Sequence, residues 1–117
     1  MLVEQHATEV YRLTAAGQLT LITRDLTFPN GIALSPDEAT LYVAVSDPAR
    51  PVLMAYPLEA DGSVGAGRVL FDAAHLVGEG RPGLPDGMAV DRHGNLFATG
   101  PGGVLVISSE GRHLGVL

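Results

Sequence analysis

A phrase that opens one apolar stretch of this chain opens another 56 residues later, where Asn30-Gly-Ile-Ala-Leu-Ser35 returns as Asp86-Gly-Met-Ala-Val-Asp91. After each comes a turn and a second shared phrase, Leu41-Tyr-Val-Ala44 and Leu96-Phe-Ala-Thr99, the first turn being one residue longer. A period of this size marks a chain built from supersecondary units that cannot bury their faces alone and stack on their neighbours. Between the repeats, apolar runs of four to seven residues are broken by Gly, Pro, Asn and Asp, which is the punctuation of strands and turns.

The resulting reading is all-β. Residues 10–14 and 19–23 flank a turn at 15–18 as a first hairpin. Strands follow at 31–35, 40–45, 52–57 and 68–71, and then at 87–91, 95–99, 103–107 and 112–117. Turns fall at Ser35-Pro36-Asp37-Glu38 and Ala60-Asp61-Gly62-Ser63, whose residues suit type I and Asx turns. The less regular stretch 72–82 accommodates at most one helical turn, at 73–76. Four strands per unit, a period near 50 and no substantial helix describe a β-propeller blade. A sandwich of hairpins would share the strands but has no reason to reuse one opening phrase at the same strand. The chain thus reads as a single partial propeller domain over 1–117: the end of one blade (1–26), a blade (27–83) and another (84–117).

In a four-stranded meander the innermost strand lines the central channel, so the residues opening that strand in successive blades converge near the axis. Asn30 and Asp86 hold that place. Both offer side-chain oxygen, the donor that Ca²⁺ and Mg²⁺ take, with Zn²⁺ also accepting carboxylate, so the pair reads as half of a metal site. Antiparallel pairing returns the end of each second strand to the same opening, which makes Ser46, Asp47, Arg50 and Gly102 candidates for a pocket rim. Against this stands a plainer reading: Pro-Asn-Gly and Pro-Asp-Gly are ordinary turn sequences.

Other chemistry has little footing. Seven Lys and Arg against 13 Asp and Glu give a net charge of −6, the wrong sign for nucleic acid or an anionic membrane surface. No apolar run approaches the length of a bilayer span. With no cysteine, thiolate sites and disulfides are excluded, while the compartment stays undecided; cytoplasm is expected, with periplasm as the alternative. His6, His75, His93 and His113 lack paired metal-ligand spacing, Ser108 and Ser109 lack a nucleophile-elbow context, and Gly65-Ala-Gly67 lacks the rest of a dinucleotide motif. Tyr11, Tyr42, Tyr56, Phe71 and Phe97 fall in strands, as blade-packing residues.

The order and wording of Phe28-Pro-Asn-Gly-Ile-Ala-Leu-Ser-Pro-Asp-Glu38, Thr40-Leu-Tyr-Val-Ala44, Leu84-Pro-Asp-Gly-Met-Ala-Val-Asp91 and Gly94-Asn-Leu-Phe97 resemble the gluconolactonase/regucalcin (SMP-30/gluconolactonase/LRE-like) family. Ser46-Asp-Pro-Ala-Arg-Pro51, Met54-Ala-Tyr56 and Gly100-Pro-Gly-Gly103 resemble its bacterial gluconolactonase-like branch. The resemblance implies a six-bladed propeller that hydrolyses a sugar lactone with one divalent cation on its axis, Ca²⁺ foremost, held by a Glu, an Asn and an Asp. Asn30 matches the Asn ligand. Asp86 matches the Asp ligand and also the position of the general base. The Glu ligand belongs to the family's first blade, which nothing in 1–26 resembles, Glu4 and Glu9 included. Val45 stands where many relatives carry Asn or Asp. At about 50 residues per blade, six blades need roughly 300 residues. The expectation is therefore a chain carrying part of the active site, whose remaining blades come from the same gene product or from self-assembly. The reading from another class is a non-catalytic propeller fragment or interaction scaffold.

Overall fold

The computed structural model describes residues 9–117. Glu4 and His6 lie outside them. Ten strands and one short helix follow in order: β1 (Val10–Leu13), β2 (Leu19–Thr23), β3 (Pro29–Leu34), β4 (Thr40–Val45), β5 (Val52–Pro57), β6 (Arg68–Asp72), α1 (Ala74–Gly78), β7 (Met88–Val90), β8 (Leu96–Gly100), β9 (Gly103–Ile107) and β10 (His113–Val116). They form a β1-β2 hairpin and two four-stranded antiparallel meanders, β3-β4-β5-β6 and β7-β8-β9-β10. Among the described residues no helix is long and apolar enough to cross a membrane.

Four hairpin turns close by one device. The last residue before the turn offers a side-chain oxygen to an amide four or five residues on: Thr14 to Gln18, Ser35 to Thr40, Asp91 to Asn95 and Ser108 to Arg112, at 3.0 to 3.1 Å for all but Asp91, which accepts at 2.9 Å. Ser, Thr and Asp are suited to this because a short polar side chain can mimic a backbone partner.

Two apolar layers hold the sheets together. Tyr42, Ala44, Leu53, Ala55 and Leu70 of the first meander meet Leu96, Ala98, Leu105 and Ile107 of the second, with Ala73 and Leu76 closing one end. On the opposite face of the first meander, Leu41, Val43, Val45, Val52, Met54 and Tyr56 pack with Leu26 against Val10 and Ile22 of the hairpin. Strands β4 and β5 are therefore buried on both sides, which is why their sequences run apolar without alternation. In β8 and β9 only alternate residues enter the core, leaving Phe97, Val104 and Val106 on the outer face. The arrangement is that of consecutive propeller blades.

The inner strand β3 starts two residues earlier than the apolar run suggests, because Pro29 pairs with Val45. Proline is tolerated there since β3 is the edge of its sheet and no neighbour needs its missing N–H. The helical turn runs 74–78, one or two residues beyond expectation, its first amide held by Asp72 Oδ1 at 2.9 Å.

Candidate site at the opening of the inner strands

Between the paired positions Pro29/Val45 and Ile32/Val43, two residues of β3, Asn30 and Gly31, stand opposite the single residue Ala44. The same two-against-one arrangement recurs 56 residues on. The Asp86 amide donates to the Thr99 carbonyl at 3.2 Å and the Thr99 amide donates to the Gly87 carbonyl at 2.9 Å, so Asp86 and Gly87 share one partner. A β-bulge of this kind bends the strand and re-aims a side chain, and here each bulge carries the candidate ligand of its repeat. The ordinary-turn reading thus fails for Pro-Asn-Gly, while Pro-Asp-Gly forms a bend just ahead of β7. Asn30 lies inside a strand, and neither Gly31 nor Gly87 adopts the positive φ that would mark a turn glycine.

Glycine is required at 31 for a different reason. A Cβ there would lie 1.6 Å from the Asp86 carbonyl oxygen and 2.7 Å from its carbonyl carbon. The backbone of the first bulge therefore presses directly on the backbone of the second. Ser46 completes the link: it accepts from Asn30 Nδ2 at 3.4 Å, and its hydroxyl donates to the Pro85 carbonyl. One hydroxyl thus joins Asn30 to the residue preceding Asp86. With Nδ2 so engaged, neither Asn30 Oδ1 nor the exposed Asp86 carboxylate has a hydrogen-bond partner among the described residues.

The rim residues divide by whether their polar groups are already spent. The Asp47 carboxylate accepts from the Thr27 hydroxyl and, at 2.9 Å, from the Ala49 amide. These bonds, the Thr27 one foremost, hold its carboxyl below the usual carboxylate range. Asp47 therefore braces its own loop. Arg50 closes that loop through its amide, which donates to the Asp47 carbonyl at 3.0 Å, and its side chain is exposed. Gly102, at φ 91°, donates its amide to the Pro82 carbonyl at 2.8 Å. Arg81 covers it: a Cβ on Gly102 would meet Arg81 Cδ at 3.2 Å. Val45, at 1% exposure, faces the core, and the polar contact to Asn30 comes instead from the next residue, Ser46.

Two residues escaped sequence reasoning. Thr99 stands opposite the Asp86 bulge and also donates its hydroxyl to the Gly87 carbonyl at 3.2 Å. Phe28 is exposed and holds φ at 49°, a conformation costly for a bulky residue, while its carbonyl accepts the Ser46 amide at 2.9 Å. The first had a signal, its place in the repeat. The second had none, since a residue before proline is expected to be extended.

Asn30 and Asp86 fit a hard divalent cation in donor type, both offering unengaged oxygen from adjoining backbone. Two donors fall short of the six to eight oxygens that Ca²⁺ gathers. Among the described residues no three of His, Cys, Asp and Glu converge on one point. A cation held by this pair would take its remaining donors from water or from groups outside the described residues.

The model of the SMP-30/Gluconolactonase/LRE-like region matches residues 2–117. A gluconolactonase of Zymomonas mobilis is 42% identical over 115 residues, covering 97% of this chain and 32% of that protein. A 6-deoxy-6-sulfogluconolactonase of Pseudomonas putida is 33% identical, over 95% of this chain and 37% of its own length. Among solved structures, a gluconolactonase of Xanthomonas campestris superposes with a TM-score of 0.77 at 37% identity, over 93% of this chain and 34% of its own. A calcium-binding protein, regucalcin, of Agrobacterium tumefaciens gives 0.73 at 28% identity, over 94% and 36%. The chain spans about a third of the length of these relatives.

Proposed function

Since the chain belongs to the SMP-30/gluconolactonase/LRE-like family, we propose that it contributes to hydrolysis of a sugar lactone at the opening where the two inner-strand bulges meet. The observation that carries this reading is the junction of Asn30 and Asp86 through Gly31 and Ser46, which brings the backbones bearing two unengaged oxygen groups into direct contact.

Asn30 Oδ1 and the Asp86 carboxylate would hold a divalent cation, Ca²⁺ in the first instance, with Mg²⁺ and Zn²⁺ as alternatives. Such a cation, when bound, supplies polarisation of a lactone carbonyl and a lowered pKa for water. The chain's own contribution is placement. Ser46 fixes the Asn30 amide so that its oxygen faces one way, and the Gly31 contact sets the spacing of the two ligand-bearing strands. Asp86 also carries the general-base role, accepting the proton of the attacking water and returning it to the ring oxygen as the acyl bond opens. Water adds across one C–O bond and an aldonic acid leaves. Phe28, exposed at the same rim, would give the sugar ring an apolar wall, while Arg50 offers a cation to its hydroxyls or to the product carboxylate.

Calorimetric titration with Ca²⁺, Mg²⁺ and Zn²⁺ tests the half-site. Saturable binding that disappears in Asp86→Ala and weakens in Asn30→Ala is expected. Titrations of wild type and Asp86→Ala that coincide would remove the metal role. Acid release from a panel of aldonolactones, followed in a pH-stat with and without cation, then tests the chemistry. A folded chain that binds cation yet hydrolyses no lactone would instead favour the non-catalytic scaffold.

A further inference from the structure

At the end of the two sheets opposite Asn30 and Asp86, the hairpin turns border a shallow, open cleft of about 340 Å³. Its walls come from both sheets: the 35–40 turn and Arg68 on one side, and the turns at 91–95 and 108–112 on the other. Two arginines, Arg68 and Arg92, are among its lining residues, together with His93. This is a concentration of cations in a chain with only seven Lys and Arg and a net charge of −6. Among the described residues neither guanidinium has a carboxylate within ion-pair distance; the one ion pair there is Arg81 with Glu79, at 3.4 Å. Nor does either make a side-chain hydrogen bond to a described residue, although each carries five N–H donors.

The repeat sharpens the contrast. The first turn reads Pro36-Asp37-Glu38 and its counterpart reads Arg92-His93-Gly94, so a turn that is acidic in one sheet has become basic in the other, and it faces the same cleft. Of the carboxylates in these turns, Asp91 and Asp37 are engaged within their own loops, whereas Glu38 and Glu110 make no side-chain hydrogen bond among the described residues. Asp91 Oδ1 accepts the His93 and Asn95 amides, both at 2.9 Å. Asp37 Oδ1 accepts from the Ser35 hydroxyl at 2.6 Å and the Ala39 amide at 3.1 Å, but its charge still borders the cleft. The hydroxyl-bearing residues Thr40, Tyr42 and Ser109 are also among the lining.

We propose that this cleft binds a small oxoanion, of the phosphate or phosphate-monoester class, between Arg68 and Arg92. Arg68 and Arg92 come from two separate sheets packed on one another, and the guanidinium fork is the group that planar, bidentate recognition of such oxygens favours. The site is independent of the lactone chemistry, since no lining residue belongs to the opening of the inner strands.

Inorganic phosphate titrated at constant ionic strength, followed by amide NMR and calorimetry, tests it. Saturable binding is expected, with shifts centred on Gly94, Thr40 and Ser109. Arg68→Gln and Arg92→Gln should each weaken binding about tenfold, the loss of one charge-assisted contact. Asp37→Asn keeps the turn's acceptor but removes the opposing charge, so it should tighten binding. Arg24→Gln makes the same charge change away from the cleft and should leave binding unchanged. Absence of saturable binding, shifts centred on Asn30 and Asp86, or equal effects of the Arg24 and Arg92 substitutions would overturn the proposal.

Discussion

Gly31 shows how a residue can be legible for the wrong reason. Its neighbour Asn30 and the repeat-related Asp86 stand out in the sequence because both precede glycine at the same point of a repeated phrase, yet the turn chemistry that phrase suggests is absent. The real constraint is the backbone contact with Asp86, invisible until two strands 56 residues apart are side by side. Gly31→Ala should therefore destabilise the chain by at least about 1–3 kcal/mol in urea denaturation, as overpacking does. Gly78→Ala, with open space around its Cβ and a helical position, should instead gain roughly 0.5–1 kcal/mol. Equal effects would contradict the contact. A second residue-scale consequence concerns acid. The carboxyls of Asp37, Asp47 and Asp61 lie below their ordinary value, chiefly through the hydroxyls of Ser35, Thr27 and Ser63, and that of Asp91 chiefly through the Asn95 amide. A carboxyl with a depressed folded pKa binds fewer protons in the folded than in the unfolded state. Its contribution is present above the unfolded value of about 3.9 and is lost as pH falls through the folded one. The thermal midpoint should thus hold level from neutral pH to about 5 and fall below about 4. Ser63→Ala should make that fall shallower, and an unchanged profile would count against the hydroxyl's role.

Among the elements, all ten strands could be read from apolar runs and turn residues, because in a meander each strand is bounded by a hairpin with its own chemical signature. Thr14, Ser35, Asp91 and Ser108 supply that signature. What the runs could not disclose was the pair of bulges, since a bulge changes pairing without changing composition, and an edge strand admits Pro29 where a central one would not. The candidate site was legible in its two ligand positions, through the repeat. Its organising groups, the Ser46 hydroxyl and the Phe28 backbone, depend on tertiary contacts. The layers also rank the strands. Leu53 in β5 is 1% exposed between two packed faces, whereas Leu114 in β10 is 53% exposed on an outer one. Leu53→Ala should cost about 2–5 kcal/mol and Leu114→Ala no more than about 0.5 kcal/mol by denaturant titration. A comparable loss at both would mean that the outer face of β10 is covered in solution.

The whole molecule carries one full joint, between the two meanders, and a partial one, between the β1-β2 hairpin and the first meander, and it leaves apolar faces open at both ends. Tyr42, 3% exposed, is buried because the second sheet covers it, and its repeat counterpart Phe97 lies on an outer face with no sheet beyond it among the described residues. Across that face Ala89, Phe97 and Val106 are directly paired in a row. At the other end, Ile32 and Leu34, 52% and 43% exposed, are the counterparts of Met88 and Val90, which pack into the joint between the sheets. The Phe97 end thus repeats one side of the internal joint, and the Ile32 end repeats the other side along the part that the β1-β2 hairpin leaves uncovered. Two faces of that kind are complementary to each other and not to themselves, so further blades or further copies would join them head to tail. The chain should therefore associate with rising concentration beyond the 12.2 kDa of one copy. Phe97→Lys blocks one face and Ile32→Lys the other, so each variant alone should sediment as a monomer. Mixed, they retain one intact face of each kind and should form a one-to-one dimer. A mixture that stays monomeric, or single variants that still associate, would show that these faces do not meet as the internal joint does.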